Sequence, residues 1–200
     1  MPRIGIMGGT FNPVHIGHLI IAQQALRLLK LDKIWFMPAG DPPHKNQNIL
    51  DKNIRKYMLE LAIKDNPYFE LFTYELEKER PSYSAVTMTE LDEIYPDNEF
   101  FFIMGADSLA DFDKWYHPEI ICMHTALVCA ERNNIPDGRL EKIKKHLEES
   151  FDARIYLIDT PQLEISSSDL RRRFAEDFLS ARYMVPEPVY NYIIDNRLYM

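Results

Sequence analysis

The chain has 200 residues and a mass of 23.6 kDa, with 46% apolar and 27% charged residues, so it is long enough to bury one substantial core. Its 23 Lys and Arg residues against 31 Asp and Glu residues give a net charge of −8, which argues against partners such as nucleic acids or anionic membranes. The two cysteines are too few for a disulfide scaffold, and no metal site is expected because no Cys/His cluster has zinc-ligand spacing. With no signal-like segment and no run of 18 apolar residues, we expect a cytoplasmic protein with a single domain, residues 1–200.

Short apolar segments alternate with helical patterns along the chain. Strands are predicted at residues 3–7, 33–37, 69–76, 99–104, 125–129 and 153–158. Helices are predicted at residues 16–29, 55–63, 86–95, 139–149 and 186–200. This alternation predicts an α/β fold with a Rossmann-like, doubly wound parallel sheet, in which ligands bind beyond the carboxyl ends of the strands.

The segment from Gly8 to His18, Gly-Gly-Thr-Phe-Asn-Pro-Val-His-Ile-Gly-His, follows the first predicted strand. Its small residues let backbone N–H groups approach an anion, and the N-terminus of the next helix favours negative charge. His15 and His18 are three residues apart, so on a first helical turn both can reach one phosphate group. The glycines alone are explained as well by a tight turn, so the paired histidines carry the prediction. The segment lacks the features of a P-loop and of a dinucleotide fingerprint.

This segment resembles the signature of the nucleotidyltransferase superfamily, whose His-x-Gly-His motif reads His-Ile-Gly-His at residues 15–18. Residues 165–171, Ile-Ser-Ser-Ser-Asp-Leu-Arg, resemble the late Ile-Ser-Ser-Thr-x-x-Arg motif of nucleotide adenylyltransferases. Serines suit a helix N-cap, and exposed amides there can hold phosphate, although an ordinary capped helix explains this second segment alone. Class I aminoacyl-tRNA synthetases carry a similar first motif, but 200 residues leave little room for their tRNA-binding parts and their Lys-rich second signature is absent.

Three further segments narrow the resemblance. Residues 42–45 (Pro-Pro-His-Lys), 80–84 (Arg-Pro-Ser-Tyr-Ser) and 105–107 (Gly-Ala-Asp), the last followed by Lys114-Trp115, are similar in order and spacing to nicotinate-nucleotide adenylyltransferases of bacterial type. The resemblance implies transfer of an adenylyl group from ATP, the co-substrate, to nicotinate mononucleotide, giving deamido-NAD and pyrophosphate, with Mg²⁺ held by the substrate. Asn12 and Ser84 replace the commoner Asp and Thr of the family pattern, and both remain short and polar.

The resemblance also implies roles for individual residues. The catalytic set is His15, His18, Lys45 and Arg171. The ATP-binding set is Gly8, Gly9, Thr10, Phe11, His15, His18, Gly105, Asp107, Ile165, Ser166, Ser168 and Arg171. The mononucleotide-binding set is Thr10, Asn12, His44, Lys45, Tyr83, Ser84 and Trp115. Without the resemblance, Lys45 would be read as a solvated lysine and Trp115 as an aromatic of the core or surface.

Two functions other than adenylyl transfer to nicotinate mononucleotide are compatible with parts of the sequence. Pantetheine-phosphate adenylyltransferase is a shorter enzyme and lacks the segments at residues 42–45 and 80–84. A nucleotide-sensing module without catalysis would not require every donor of the transition state, yet both histidines, Lys45 and Arg171 are present. The sequence leaves open whether the chain is a monomer or a homodimer.

Overall fold

The computed structural model describes residues 1–42, 49–131, 138–161 and 163–200, so the predicted site residues His44 and Lys45 lie outside the described residues. In these parts of the chain the strands are β1 (Arg3–Gly9), β2 (Lys33–Pro38), β3 (Phe69–Leu71), β4 (Glu99–Gly105), β5 (Ala126–Glu131) and β6 (Ile155–Asp159). The α-helices are α1 (Ile16–Leu28), α2 (Lys52–Ile63), α3 (Ser84–Ile94), α4 (Ala106–Ala110), α5 (Pro118–His124), α6 (Arg139–Phe151), α7 (Ser167–Glu176) and α8 (Glu187–Asp195). Among the residues described, no helix has the length and apolar character needed to cross a membrane.

The strands form one sheet in the order β3-β2-β1-β4-β5-β6, and every neighbouring pair is parallel. This arrangement confirms the predicted Rossmann-like α/β fold. The order reverses between β1 and β4, because the chain moves outward through β2 and β3 on one side and through β5 and β6 on the other. Parallel sheets of this kind bind ligands in the crevice beyond the carboxyl ends of the strands at that reversal.

The sheet is buried on both faces, which explains why its strands are almost continuously apolar. Successive side chains of β4 alternate between two core clusters: Phe101 and Ile103 face one, and Phe100, Phe102 and Met104 face the other. Helices α1, α2, α7 and α8 cover the first cluster, and helices α3, α4, α5 and α6 cover the second. The result is a three-layer α/β/α arrangement with the sheet in the middle.

The third predicted strand, residues 69–76, was too long. It pairs with β2 only at Phe69–Leu71, and the chain then forms a 3₁₀ helix at Tyr74–Glu77. The physical reason lies in Glu75, which is buried in that turn and accepts a hydrogen bond from the Thr87 hydroxyl of α3 at 2.8 Å. The bounds of the other five strands differ from the prediction by one or two residues.

The helix predicted for residues 186–200 ends early, at Asp195. The chain beyond it turns, with the left-handed region occupied by Arg197 at φ 49° and by Tyr199 at φ 68°. Helices α4 and α5 were not predicted, because segments of five and seven residues are too short to display helical periodicity.

Candidate functional site

The candidate site lies at the carboxyl ends of β1 and β4, which are Gly9 and Gly105. A Cβ atom at Gly105 would meet no other atom within 4 Å, so the end of β4 borders open space. At Gly8, by contrast, a Cβ atom would come within 3.2 Å of the Phe102 ring. The predicted residue Asp107 lies exposed in the first turn of α4, directly after β4. The topology therefore brings the first motif and the Gly105–Asp107 segment to one edge of the sheet.

The two histidines of the first motif form one unit. His15 is the N-cap of α1, and His18 is its third residue. The backbone N–H of His15 donates to Nδ1 of His18 at 3.2 Å, and the backbone N–H of His18 donates to the carbonyl of His15 at 3.0 Å. Their rings are stacked, with centroids 3.6 Å apart. Because Nδ1 of His18 accepts a hydrogen bond, its Nε2 carries the proton and is the donor that this ring can offer a phosphate.

Gly17 has no side chain, and the His15 ring packs against it in the space that a side chain would fill. A Cβ atom at Gly17 would lie 3.0 Å from Nδ1 and 3.1 Å from Cε1 of His15, so any side chain there must displace the ring by a few tenths of an ångström. The spacing His-x-Gly-His is therefore a packing requirement as well as a pair of donors.

The Gly17→Ala variant tests this requirement. We expect kcat to fall about tenfold, since small displacements of a catalytic group are costly. The melting temperature should not fall in proportion, because Ala favours a helix over Gly by about 1 kcal/mol. Steady-state kinetics and thermal unfolding measured together decide the matter. An unchanged kcat would mean that His15 needs no such exact placement.

The loop between β1 and α1 presents backbone more than side chains. Phe11, at φ 49°, is only 2% exposed, and its ring packs against His18 and Phe36 with centroid distances of 5.1 and 6.1 Å. The Phe11 side chain is therefore not available to a ligand, and the contact with ATP that the resemblance implies would have to use its backbone. The carbonyl of Thr10 accepts a hydrogen bond from Arg55 at 2.7 Å, which holds the start of this loop.

The late motif forms the N-terminus of α7. Ser166 is the N-cap, and its hydroxyl accepts from the backbone N–H of Asp169 at 3.2 Å. The hydroxyl of Ser168 lies 3.1 Å from that of Ser166, and Ile165 is half-buried against the core. The two serines predicted to bind ATP thus lie together at one helix N-terminus, where backbone N–H groups favour an anion.

Two long-range hydrogen bonds connect α7 to the first motif. The hydroxyl of Ser167 donates to the carbonyl of Pro13 at 2.8 Å, and Nη1 of Arg171 donates to the carbonyl of Asn12 at 2.9 Å. These bonds bring the two motifs together, although more than 150 residues separate them in sequence. The sequence analysis missed Ser167, because nothing in the motif distinguished it from the serines on either side.

Arg171 differs from the two arginines that follow it. Arg172 and Arg173 both pair with Asp169, and each closest N–O distance is 2.5 Å. The Arg173 and Arg172 guanidinium groups hold the pKa of Asp169 below its usual range. Arg171, in contrast, reaches a backbone carbonyl of the loop between β1 and α1, so it is the arginine of this run that lies at the candidate site.

The predicted mononucleotide side includes the N-terminus of α3. The backbone N–H of Tyr83 donates a hydrogen bond to the carbonyl of Pro81 at 3.0 Å. The N–H of Thr87 donates to the carbonyl of Tyr83 at 3.1 Å. Helical bonding of α3 starts with that second bond, so the amides of its first turn, from Ser84 onward, have no partner within the helix. An anion near Tyr83 would therefore meet the N–H groups of the first turn rather than that of Tyr83.

Aromatic contacts connect this helix N-terminus to the segment after β4. The ring centroids of Tyr83 and Tyr116 are 4.5 Å apart. The adjacent Trp115 is half-buried and meets the Phe102 ring of β4 edge-on, with a centroid distance of 6.1 Å. The structure thus brings the predicted residues Tyr83 and Trp115 into neighbouring positions.

The loop after β2, which leads to the predicted His44 and Lys45, is held by contacts that sequence reasoning missed. The hydroxyl of Ser82 accepts from the backbone N–H of Gly40 at 3.0 Å. A Cβ atom at Gly40 would lie 2.2 Å from the carbonyl oxygen of Glu75, so only glycine fits there. Burial raises the pKa of Glu75, while hydrogen bonds from Thr87 and Ser82 oppose that rise.

Arg55 of α2 is a further residue that the sequence analysis did not assign to the site. It is only 1% exposed, and its guanidinium donates to four backbone carbonyls: Leu50 at 3.1 Å, Thr10 at 2.7 Å, Ala39 at 2.8 Å and Gly40 at 3.4 Å. Burial lowers its pKa. The sequence did carry a signal, because Arg55 falls on the apolar face of a helical pattern, where a charged side chain needs a structural reason.

No metal-binding cluster is evident in residues 1–42, 49–131, 138–161 and 163–200, where no three His, Cys, Asp or Glu side chains group so as to hold an ion.

The chain is similar to known proteins over most or all of its length. A family model described as cytidylyltransferase-like matches residues 6–173. The probable nicotinate-nucleotide adenylyltransferase of Lachnoclostridium phytofermentans is 40% identical over the full length of both chains, and that of Carboxydothermus hydrogenoformans is 36% identical over 98% of each. In fold, the chain is similar to the Plasmodium falciparum nicotinic acid mononucleotide adenylyltransferase complexed with NaAD, with a TM-score of 0.81 and 23% identity over 100% of this chain and 98% of that one.

Proposed function

The chain belongs to the nicotinate-nucleotide adenylyltransferase family, nucleotidyltransferases of NAD biosynthesis that make deamido-NAD and pyrophosphate from ATP and nicotinate mononucleotide, and we propose which of its residues carry the transfer. The observation that most supports the assignment is the docking of α7, through Ser167 and Arg171, on the loop between β1 and α1 (residues 10–15), which we call the phosphate loop. This docking brings two motifs together at the switch point of the sheet, and both carry hydrogen-bond donors that we propose bind phosphate.

The reaction is a direct displacement. An oxygen of the 5′-phosphate of nicotinate mononucleotide attacks the α-phosphorus of ATP, and the bond from that phosphorus to the oxygen bridging to the β-phosphate breaks. The electron pair of that bond leaves with pyrophosphate. The attacking phosphate is already an anion, so no general base is needed, and catalysis rests on positioning and on neutralising developing charge.

The ATP half of the site takes its donors from both motifs. His18 offers its Nε2–H to the phosphates, and the stacked His15 fixes the ring. Arg171 adds a permanent positive charge beside the loop. The adenosine binds at Gly105 and Asp107. Gly105 borders open space, and Asp107 lies in the first turn of α4.

The mononucleotide half takes its donors from α3 and the segment after β4. The first-turn amides of α3 and the Ser84 hydroxyl receive the nicotinate carboxylate, and Trp115 stacks on the pyridine ring. Lys45 and His44, which lie outside the described residues, take the mononucleotide phosphate. Mg²⁺ enters as part of the substrate, bound by ATP oxygens and water, as is usual for this ion with nucleotides.

Selectivity for the acid over the amide tests the mononucleotide half. With ATP, we expect kcat/KM for nicotinate mononucleotide to exceed that for nicotinamide mononucleotide at least about tenfold, because N–H donors at the start of α3 suit a carboxylate and would oppose the NH₂ of an amide. The measurement lets both mononucleotides compete in one reaction and compares deamido-NAD with NAD.

Two results would contradict parts of this proposal. Comparable rates of the two products would show that the pocket binds the ring and not its substituent, and the α3 assignment would fail. Binding of ATP without release of pyrophosphate, with either mononucleotide, would instead favour a nucleotide-sensing module.

A further inference from the structure

The last residues of the chain reach the phosphate loop. The hydroxyl of Tyr199 donates to the side-chain Oδ1 of Asn12 at 2.9 Å, across 187 residues of sequence. The backbone carbonyl of the same Asn12 accepts the hydrogen bond from Arg171, also at 2.9 Å. One loop residue thus connects the C-terminal segment with the arginine that the proposed mechanism uses.

The structure around Tyr199 is built for this contact. Helix α8 ends at Asp195, and Arg197, in the left-handed region at φ 49°, turns the chain so that the backbone N–H of Leu198 donates back to the carbonyl of Ile193 at 2.9 Å. The Tyr199 ring stacks on Phe174 of α7, with centroids 6.1 Å apart and an angle of 27° between the rings. Burial raises the pKa of Tyr199, so its hydroxyl keeps its proton and acts as a donor.

Asn12 is the junction of three segments. It is only 3% exposed, and its Oδ1 accepts from the backbone N–H of Leu50, at 3.3 Å, as well as from Tyr199. Leu50 immediately precedes Asp51, the N-cap of α2. The Asn12 side chain therefore joins the phosphate loop, the start of α2 and the C-terminal segment.

We propose that Tyr199 is a positioning residue for adenylyl transfer, whose hydroxyl fixes Asn12 and, through the Asn12 carbonyl, the guanidinium of Arg171. On this proposal Tyr199 acts through Asn12 and not by contact with a substrate. The inference rests on the proposed function, and specifically on the role of Arg171 at the phosphates. It assigns the C-terminal segment a part in turnover rather than in packing alone.

The Tyr199→Phe variant removes only the hydroxyl and leaves the ring on Phe174. We expect kcat to fall about five- to tenfold, the equivalent of one lost hydrogen bond in the transition state, while KM for ATP changes less than about twofold. The matched control is Tyr190→Phe. The Tyr190 ring also packs on Phe174, at 6.0 Å, but its hydroxyl bonds to the carbonyl of Phe178 and not to the loop. Its kcat should stay within about twofold of wild type.

A double-mutant cycle with Asn12→Ala identifies the route of the effect. If Tyr199 acts through Asn12, adding Tyr199→Phe to Asn12→Ala should lower kcat by less than about twofold. Equal losses of kcat in Tyr199→Phe and Tyr190→Phe, no loss in Tyr199→Phe, or fully additive losses in the cycle would each overturn the inference. A wild-type chain that releases no pyrophosphate would instead refute the proposed function.

Discussion

The His18→Ala variant should turn over about 10²- to 10³-fold more slowly than wild type, the usual cost of one donor aimed at developing charge. The prediction follows from the hydrogen bond that fixes the ring: Nδ1 accepts from the backbone of His15, so the remaining donor is Nε2–H. KM for ATP should change much less, because the interaction strengthens in the transition state. Steady-state kinetics at saturating ATP and nicotinate mononucleotide measures the effect.

The same substitution removes a helix cap, and this second effect must be separated from the first. Loss of the acceptor for the His15 N–H should cost about 1 kcal/mol of stability, which thermal unfolding reports independently. A suitable control is His146→Ala, since His146 lies exposed on α6. A kcat close to wild type in His18→Ala, with the control also unaffected, would refute the catalytic assignment.

The local features of the site could be predicted because each depends on residues that are close together in the sequence. The glycines lie side by side at the end of β1, and the histidines three residues apart and the serines at the start of α7 each lie within one helical turn, where spacing determines direction. The parallel sheet followed from the alternation of apolar segments with helical patterns. In the structure the strand order places β1 beside β4, and the crevice for ligands lies at the carboxyl ends of these two strands.

The supporting contacts could not be predicted, because their partners are backbone atoms far away in the sequence. Arg55 bonds to four backbone carbonyls and, within the described part of the chain, to no carboxylate, so the pattern of charges in the sequence does not identify its partners. Ser82 holds Gly40 across 42 residues, and Tyr199 reaches Asn12 only because the chain leaves α8 five residues before its end. Periodicity reports which face of an element is buried, whereas these bonds depend on where loops meet.

The Arg55→Met variant should lose about 3 kcal/mol of unfolding free energy, the largest stability effect that we expect in this chain. A methionine fills much of the same space but leaves the carbonyls of Leu50, Thr10, Ala39 and Gly40 without their donor in a buried setting. Water can restore part of the loss, which is why the expected cost is below the sum of four separate bonds. Urea unfolding measures the change, with the slope of the transition confirming that the unfolded state is comparable.

The neighbouring Lys56→Met variant is the matched control, because it removes the same kind of charge from the exposed face of α2. Lys56 makes a surface pair with Glu60 at 3.6 Å, so its loss should change stability by less than about 0.5 kcal/mol. Arg55→Lys separates charge from geometry: one ammonium keeps the charge but cannot span four carbonyls, so its stability should fall between those of wild type and Arg55→Met. Because Arg55 holds the loops after both β1 and β2, kcat of the folded lysine variant should fall as well. Stability of Arg55→Met within about 1 kcal/mol of wild type would mean that water replaces the guanidinium, and that the two loops are positioned by their own turns rather than by this side chain.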